Sequence, residues 1–113
     1  MPTAPVPGPL LHLEPHPSAN GHAPTLVVTG EVDIATADAL RTALEDLRVG
    51  APGHDLRLEC AGLDFIDSSG LSVLAETRKE LARDGRRLVL ANLGTSQREI
   101  FAVSGLDQVL VLE

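Results

Sequence analysis

The stretch that decides the fold is a turn rich in hydroxyls and carboxylates: Leu63-Asp64-Phe65-Ile66-Asp67-Ser68-Ser69-Gly70-Leu71. Leu71, Leu74 and Leu81 recur at helical spacing, so we predict a helix from Ser68 onward. Residues 62–67 are interpreted as the connection that leads into this helix. In open parallel sheets, binding sites form beyond the carboxyl ends of the strands, which is where this turn is expected to lie.

Towards the N-terminus, the sequence predicts two strands and one helix. Proline-rich residues 1–9 indicate a disordered lead-in, and residues 10–14 a short strand. Residues 15–24 are interpreted as a loop, and the apolar run at 26–29 as the second strand. The next segment is typical of a helix that opens at Thr36, has its apolar positions at Ala37, Leu40, Leu44 and Leu47, and ends at Gly50, Pro52 and Gly53.

On the C-terminal side, strands and helices are predicted to alternate. The predicted elements are a strand at residues 56–60, a strand at 87–91, a short helix from near Thr95 to Gly105, and a strand at 109–112. Gly85 is expected to cap the helix that begins at Ser68. Ser96 and Glu99 have the spacing of a capping box for the short helix.

The predicted order is β, β, α, β, α, β, α, β. Alternation of this kind predicts an α/β fold with a mixed, mostly parallel sheet of about five strands and helices packed on it. The first two strands follow one another directly, so we expect them to be antiparallel. Residues 10–113 are interpreted as one domain.

The composition excludes several classes of function. The formal net charge of −7 disfavours direct nucleic-acid binding and binding to anionic membranes. The two aromatic residues, Phe65 and Phe101, are too few for a platform on which bases stack. A single cysteine, Cys60, permits no internal disulfide and is expected in the core. Neither a secretory signal nor a membrane span is visible, so we expect a cytoplasmic protein.

The chemistry available at the turn centres on Ser69, which should lie in the first turn of its helix. A phosphate there would meet free backbone N–H groups and the positive end of the helix dipole. It would also add about −1.5 to −2 charges beside Asp64 and Asp67. The alternative is purely structural, because Asp and Ser are ordinary N-cap residues, and the pattern by itself favours that interpretation.

The segment from Asp64 to Leu71 resembles the signature of STAS domains, which occur in bacterial anti-sigma factor antagonists and in the cytoplasmic tails of sulphate transporters. Three further segments resemble the same family: Val28-Thr29-Gly30-Glu31-Val32-Asp33 with Thr36-Ala37, Leu88-Val89-Leu90-Ala91-Asn92, and Ser104-Gly105-Leu106-Asp107. Together they cover about residues 10–113. Many members carry a further helix after the last strand, whereas this sequence ends at Glu113. Whether contacts made by such a helix are needed here stays open.

The resemblance implies a switch. In antagonists of this family, an anti-sigma factor with serine kinase activity phosphorylates the second serine of the motif, which is Ser69 here. The unphosphorylated antagonist binds that partner and releases the sigma factor, and a separate phosphatase resets it. The implied partner-binding residues are Asp33, Asp67, Ser68, Ser69 and Gly70. For Asp33, a cap in front of the first helix is an equal alternative.

Other functions receive less support. A serine hydrolase needs a Gly-x-Ser-x-Gly elbow and a later histidine, and a nucleotide enzyme needs a glycine-rich loop, so we expect neither an enzyme nor a cofactor. A non-switching STAS scaffold in a signalling or lipid-transport complex remains open. The histidines are expected in or beside loops, without a metal site; they are His12, His16, His22 and His54. The cluster of Arg83, Arg86 and Arg87 is interpreted as a solvated helix end.

Overall fold

The sheet has the predicted topology. The computed structural model describes residues 11–19 and 21–113, so the predicted lead-in lies outside the described residues. Within them, five strands lie side by side in chain order: β1 Leu11–His16, β2 Thr25–Val32, β3 Leu56–Ile66, β4 Leu88–Ala91 and β5 Val111–Leu112. β1 is antiparallel to β2, and every other neighbouring pair is parallel. The α/β class and the antiparallel first pair are therefore confirmed.

Helices supply the second layer of the core. In the described part of the chain these are α1 Ala37–Gly50, α2 Ser68–Ala82 and α3 Thr95–Ser104, with a 3-10 turn at Leu106–Gln108. The predicted helical stripe of α1 is buried, with Leu40 and Leu44 at most 1% exposed. Leu74 and Leu81 of α2 and Phe101 of α3 are fully buried in the same core. Removal of this apolar surface from water is the main force that holds the helices on the sheet.

Strand β3 is longer than predicted, because it continues through residues 62–66 instead of ending at Cys60. The interpretation of this stretch as a connection was wrong. Residues 62–66 stay in the sheet because they continue to pair with β2, beginning with Gly62 opposite Thr29. The pairing is irregular, and its register shifts between Gly30 and Glu31. A Cβ atom added at Gly62 would lie 3.0 Å from the Thr29 hydroxyl oxygen. The glycine therefore marks a close approach of two strands and not a break.

The first strand also extends beyond its prediction, through Pro15 and His16. Proline has no backbone N–H, and it is tolerated there because β1 is an edge strand. On the outer side of an edge strand, an N–H has no neighbouring strand to bond, so its loss breaks no ladder hydrogen bond. His12 and His16 consequently lie in the strand. The predicted place in or beside loops is confirmed for His16, which pairs with Thr25 as the last residue of β1, but was wrong for His12, which pairs with Thr29 inside the strand.

The end of α2 and the start of α3 are formed by backbone geometry, without side-chain caps. Gly85 adopts a φ of +71°, and the N–H of Arg86 donates to the Leu81 carbonyl at 3.0 Å. This is the predicted glycine cap of α2. The capping box of α3 was wrong: the N-cap is Gly94, without a side-chain cap, so Ser96 is already inside the helix.

Arg86 corrects the prediction of a solvated arginine cluster. Arg83 and Arg87 are exposed, but Arg86 is only 6% exposed. Its guanidinium donates to the carbonyl oxygens of Ala51 at 2.8 Å and Arg48 at 3.2 Å, and to that of His54. These carbonyls end α1 and form the loop after it, so Arg86 ties this loop to the start of β4.

No helix of the described residues is long and apolar enough to cross a membrane.

Candidate functional site

Two acidic residues meet where two neighbouring parallel strands end. Val32, the last residue of β2, pairs with Ile66, the last residue of β3. The next residues are Asp33 and Asp67, and the N–H of Asp67 donates to the Val32 carbonyl at 3.1 Å. Segments more than 30 positions apart in the chain therefore converge at the carboxyl edge of the sheet, where open α/β folds place their sites.

Asp67 starts helix α2. Its backbone is extended, and its Oδ1 accepts hydrogen bonds from the N–H groups of Ser69 at 2.9 Å and Gly70 at 3.3 Å. These are donors that the first helical turn cannot satisfy internally. The structure therefore corrects one expectation: the N–H groups of Ser69 and Gly70 are not free for a phosphate, because the Asp67 carboxylate already occupies them.

The two serines of the motif lie in the first turn of α2, as predicted. Ser68 is the first helical residue and is exposed, whereas Ser69 is half-buried. The assignment of the phosphate acceptor to Ser69 stays a prediction, and so does the assignment of Ser68 to a partner surface.

Gly70 has a packing role that the sequence did not reveal. It is buried, and a Cβ atom there would lie 2.6 Å from Cγ1 of Ile66 and 2.7 Å from Cγ1 of Val32. The first turn of α2 can therefore approach the ends of β2 and β3 only because residue 70 has no side chain. Its predicted place in a partner interface is not tested by this packing.

Asp33 organises the turn before α1. Its Oδ1 accepts from the N–H groups of Ala35 at 2.9 Å and Thr36 at 3.1 Å. The hydroxyl of Thr36 in return accepts from the N–H of Asp33 at 2.8 Å. The capping alternative for Asp33 is thus supported by the geometry, while its partner contact stays a prediction.

Sequence reasoning missed the apolar residues around this edge. Ile34, directly after Asp33, is 84% exposed, and Phe65, directly before Ile66, is 45% exposed. An apolar residue next to a turn acid was the available signal for Ile34. For Phe65 there was no local signal, because the residue was assigned to a connection and not to the outer face of a strand.

A buried amide fixes α3 beside the motif. Gln97 is 8% exposed, and its Nε2 donates to the backbone carbonyl of Asp64 at 3.0 Å. The predicted capping box drew attention to Ser96 and Glu99, but the residue between them makes the contact. The sequence carried no signal for it, because the partner is a backbone atom 33 positions away.

The remaining reactive side chains lie outside this edge. Burial in the core raises the pKa of the Cys60 thiol to about 12, with the Glu59 carboxylate adding to the effect. Cys60 is 1% exposed, which confirms its predicted place in the core. Across residues 11–19 and 21–113, no three acidic, histidine or cysteine side chains converge as a metal site would require.

Comparisons with known proteins agree with this architecture. The family model described as "Mlab, STAS domain" matches residues 16–113. This chain belongs to the STAS-domain family. The resemblance inferred from the motif is thereby confirmed.

The relatives of this STAS domain include regulators of sigma factors. It is 32% identical over 83 residues to the anti-sigma-B factor antagonist of Bacillus subtilis (strain 168), covering 74% of each chain. An anti-sigma factor antagonist from Mycobacterium paratuberculosis superposes with a TM-score of 0.75 at 25% identity, covering 89% of this chain and 85% of that one. The Bacillus protein SpoIIAA in its phosphorylated form matches with a TM-score of 0.61 at 22% identity, covering 91% and 90%. This last likeness concerns the fold alone.

Proposed function

We propose that this STAS domain is an anti-sigma factor antagonist controlled by phosphorylation of Ser69. In its unphosphorylated form it binds an anti-sigma factor that is also a serine kinase, and the sigma factor is released. That kinase phosphorylates Ser69 and ends the binding, and a serine phosphatase restores the active form. The domain acts in the cytoplasm, without a cofactor and without catalysis of its own.

The observation that carries this proposal is the position of Ser69 at a composite edge. The residue is half-buried in the first turn of α2, next to Asp67, and Asp33 follows the neighbouring strand. Exposed Ile34 directly follows Asp33, and exposed Phe65 lies two positions before Asp67. A surface that combines apolar side chains with a central hydroxyl can bind a protein and lose that binding when the hydroxyl becomes charged.

Similarity supports the partner class. The name anti-sigma factor antagonist belongs to the Bacillus subtilis relative, and the similarity covers 74% of this chain. Asp33, Asp67, Ser68, Ser69 and Gly70 are the residues proposed to form or shape the interface. Asp33 and Asp67 serve it by holding the two turns in place, and Gly70 by letting α2 sit close to the strands.

The proposed switch is local. Partner binding would remove water from the first turn of α2, so a phosphate at Ser69 would have to give up its hydration inside the interface. The Asp67 carboxylate already occupies the N–H groups that could compensate the charge. The fold can stay unchanged while the affinity for the partner falls.

The experiment that tests the proposal uses the purified protein with each anti-sigma factor kinase of the same genome and ATP. Intact mass and peptide mapping locate any phosphate, and titration calorimetry measures binding before and after the reaction. We expect one phosphate, on Ser69, and loss of binding with it. Phosphate on another residue, or equal affinity of both forms, contradicts the switch.

A non-switching scaffold is the second candidate, because the same edge could hold a partner permanently. A stoichiometric complex whose affinity does not change with ATP favours the scaffold over the antagonist.

A further inference from the structure

Ser69 lies on the side of α2 that faces α1. Glu76 follows Ser69 by seven positions, and residues seven apart lie within about 20° of each other around a helix. The Nε–H of Arg41, on α1, donates to the Glu76 carboxylate at 3.1 Å. The stripe of α2 that carries Ser69 is therefore the stripe turned towards α1. A protein that reaches the Ser69 hydroxyl from this side has to pass along the start of α1.

The turn at residues 33–36, which leads into α1, begins beside the start of α2. The N–H of Asp67 donates to the carbonyl of Val32, and Ile34 and Ser69 each lie two positions beyond these two residues. Two residues span at most about 7 Å, so the Cα atoms of Ile34 and Ser69 are within about 22 Å of each other. A protein interface of ordinary size covers about 800 Å² per partner, which is a patch about 30 Å across. One partner that covers Ser69 can therefore also cover Ile34.

Phe65, the other exposed apolar side chain at this edge, lies on the opposite face of the sheet. Its neighbour Ile66 faces the helices, because Cγ1 of Ile66 would lie 2.6 Å from a Cβ atom added at Gly70 of α2. Successive residues of a strand point to opposite faces, so Phe65 points away from α2. Ile34 belongs to the turn that enters the helix layer. Of the two side chains, Ile34 is thus the one on the side from which Ser69 is reached.

Hydrogen bonds on both sides of Ile34 hold the turn in one conformation. The Asp33 carboxylate accepts from the N–H groups of Ala35 and Thr36. The Thr36 hydroxyl donates to the carbonyl of Glu31 at 3.1 Å, and Thr36 itself is buried. An apolar side chain on such a fixed backbone loses little conformational freedom when it binds, which favours affinity. Ile34 is therefore pre-organised as an anchor, with nearly all of its apolar surface available for burial.

We propose that Ile34 is the apolar anchor by which the anti-sigma factor kinase holds this domain and reaches Ser69. The kinase receives the Ile34 side chain in an apolar pocket and approaches Ser69 along the α1 side of α2. Phosphoryl transfer requires the reacting atoms to come within about 3–3.5 Å of each other, so an enzyme that phosphorylates Ser69 has to cover the turn beside it. In that step the γ-phosphoryl group of ATP passes to the Ser69 oxygen, ADP leaves, and the hydroxyl proton passes to a base of the kinase. This inference rests on the proposed function and adds the residue that decides recognition.

The first test compares Ile34→Ala with Val103→Ala. Val103, on α3, is 90% exposed and lies near Leu71, which is about 200° around α2 from Ser69. Each variant is titrated, unphosphorylated, against the anti-sigma factor that binds the wild type. We expect Ile34→Ala to weaken the Kd by about 10-fold or more, as loss of an interface anchor does, and Val103→Ala to leave it within about 2-fold. Urea unfolding checks that both variants are as stable as the wild type, as expected for exposed positions.

A second comparison tests the direction of approach. The kinase is given ATP and either Ile34→Ala or Phe65→Thr, which keeps a residue that favours strands. We expect kcat/KM for the phosphorylation of Ile34→Ala to fall by about 10-fold, because the anchor places the acceptor, and that of Phe65→Thr to stay within about 2-fold of the wild type.

The outcomes separate this inference from the function on which it rests. If Ile34→Ala binds and accepts phosphate like the wild type, while phosphorylation of Ser69 still abolishes binding, the anchor is overturned and the switch stands. If Phe65→Thr or Val103→Ala weakens binding as much as Ile34→Ala does, the partner does not approach along α1, which also overturns the anchor. If the wild type neither binds an anti-sigma factor nor accepts phosphate, the proposed function fails and the anchor fails with it.

Discussion

The Oδ1 atom of Asp67 accepts a hydrogen bond from the backbone N–H of Ser69 at 2.9 Å. The acid in front of α2 is therefore bound to the residue proposed to carry the phosphate. A phosphate on Ser69 would therefore lie close to the Asp67 carboxylate and would not find an open helix terminus. The two negative charges would repel each other. We expect the phosphate to point away from the helix start, towards the surface that the partner would cover.

Variants of Ser69 should imitate the unphosphorylated and the phosphorylated form of the domain. Ser69→Ala is expected to bind the anti-sigma factor permanently, because no charge can be added. Ser69→Asp and Ser69→Glu are expected to bind weakly, and calorimetry measures all three. Ser68→Ala is the matched control and should still accept one phosphate, seen by intact mass. Equal affinities of the Ser69 variants would contradict the switch, and loss of the phosphate in folded Ser68→Ala would move the acceptor.

Two substitutions of Asp67 separate its role as the cap of α2 from the effect of its negative charge. Asp67→Ala loses both hydrogen bonds to the helix start and should lower the free energy of unfolding by about 0.5–2 kcal/mol. Asp67→Asn keeps a side-chain oxygen at the same position and should retain most of the stability. Urea denaturation compares the two variants. An Asp67→Asn variant as unstable as Asp67→Ala would show that the negative charge is needed for the cap.

Gly70 should resist substitution even by alanine. The added methyl group would clash with Ile66 and Val32, and such overpacking costs about 1–3 kcal/mol, which outweighs the helix propensity gained. Gly50, at the end of α1, is the control, because a Cβ atom there meets none of the described atoms within 4 Å. Gly50→Ala should be neutral or stabilise the fold by up to about 1 kcal/mol. Similar midpoints of chemical unfolding for both variants would contradict this account.

Arg86 is expected to be important for stability although it is charged. Arg86→Ala would remove the guanidinium donor from the carbonyls of Arg48 and Ala51, and the Ala51 carbonyl would keep only the N–H of His54 at 3.3 Å. Loss of a donor from a buried acceptor costs about 1–3 kcal/mol. Arg83, whose side chain is 74% exposed and contacts Glu80, provides the comparison. Arg83→Ala should change stability by less than about 0.5 kcal/mol. A thermal midpoint of Arg86→Ala equal to that of Arg83→Ala would show that the loop does not need this donor.

Cys60 should be inert towards thiol reagents while the chain is folded. Burial keeps its thiol protonated by raising its pKa to about 12, and the thiolate is the reactive form. The folded state binds the thiol proton more tightly than the unfolded state, in which the thiol has its ordinary pKa of 9.0. This difference leaves the free energy of unfolding unchanged below about pH 9 and lowers it as the pH rises from 9 towards 12. Ellman's reagent at pH 8 should react slowly without urea and rapidly in it, and rapid labelling of the folded protein would contradict the burial.

The element order, the helical stripes and the antiparallel first pair could be predicted from sequence because they depend on local periodicity. Alternation of apolar and polar residues fixes which face of a strand is buried, and Leu40 and Leu44 recur at helical spacing on α1. The motif residues could be placed in the first turn of α2 for the same reason, since Asp67 and Ser68 are typical of a helix start.

Tertiary structure alone decided the contacts between distant segments. Residues 62–66 look like a loop in isolation, but pairing with β2 holds them in a strand. The cap that leaves no free N–H at Ser69, the tie between Gln97 and Asp64, and the burial of Arg86 likewise depend on atoms that are far apart in sequence or on exact backbone geometry. Local patterns report which face of an element is apolar, whereas the position of a side chain relative to a distant carbonyl is set only when the whole core has packed.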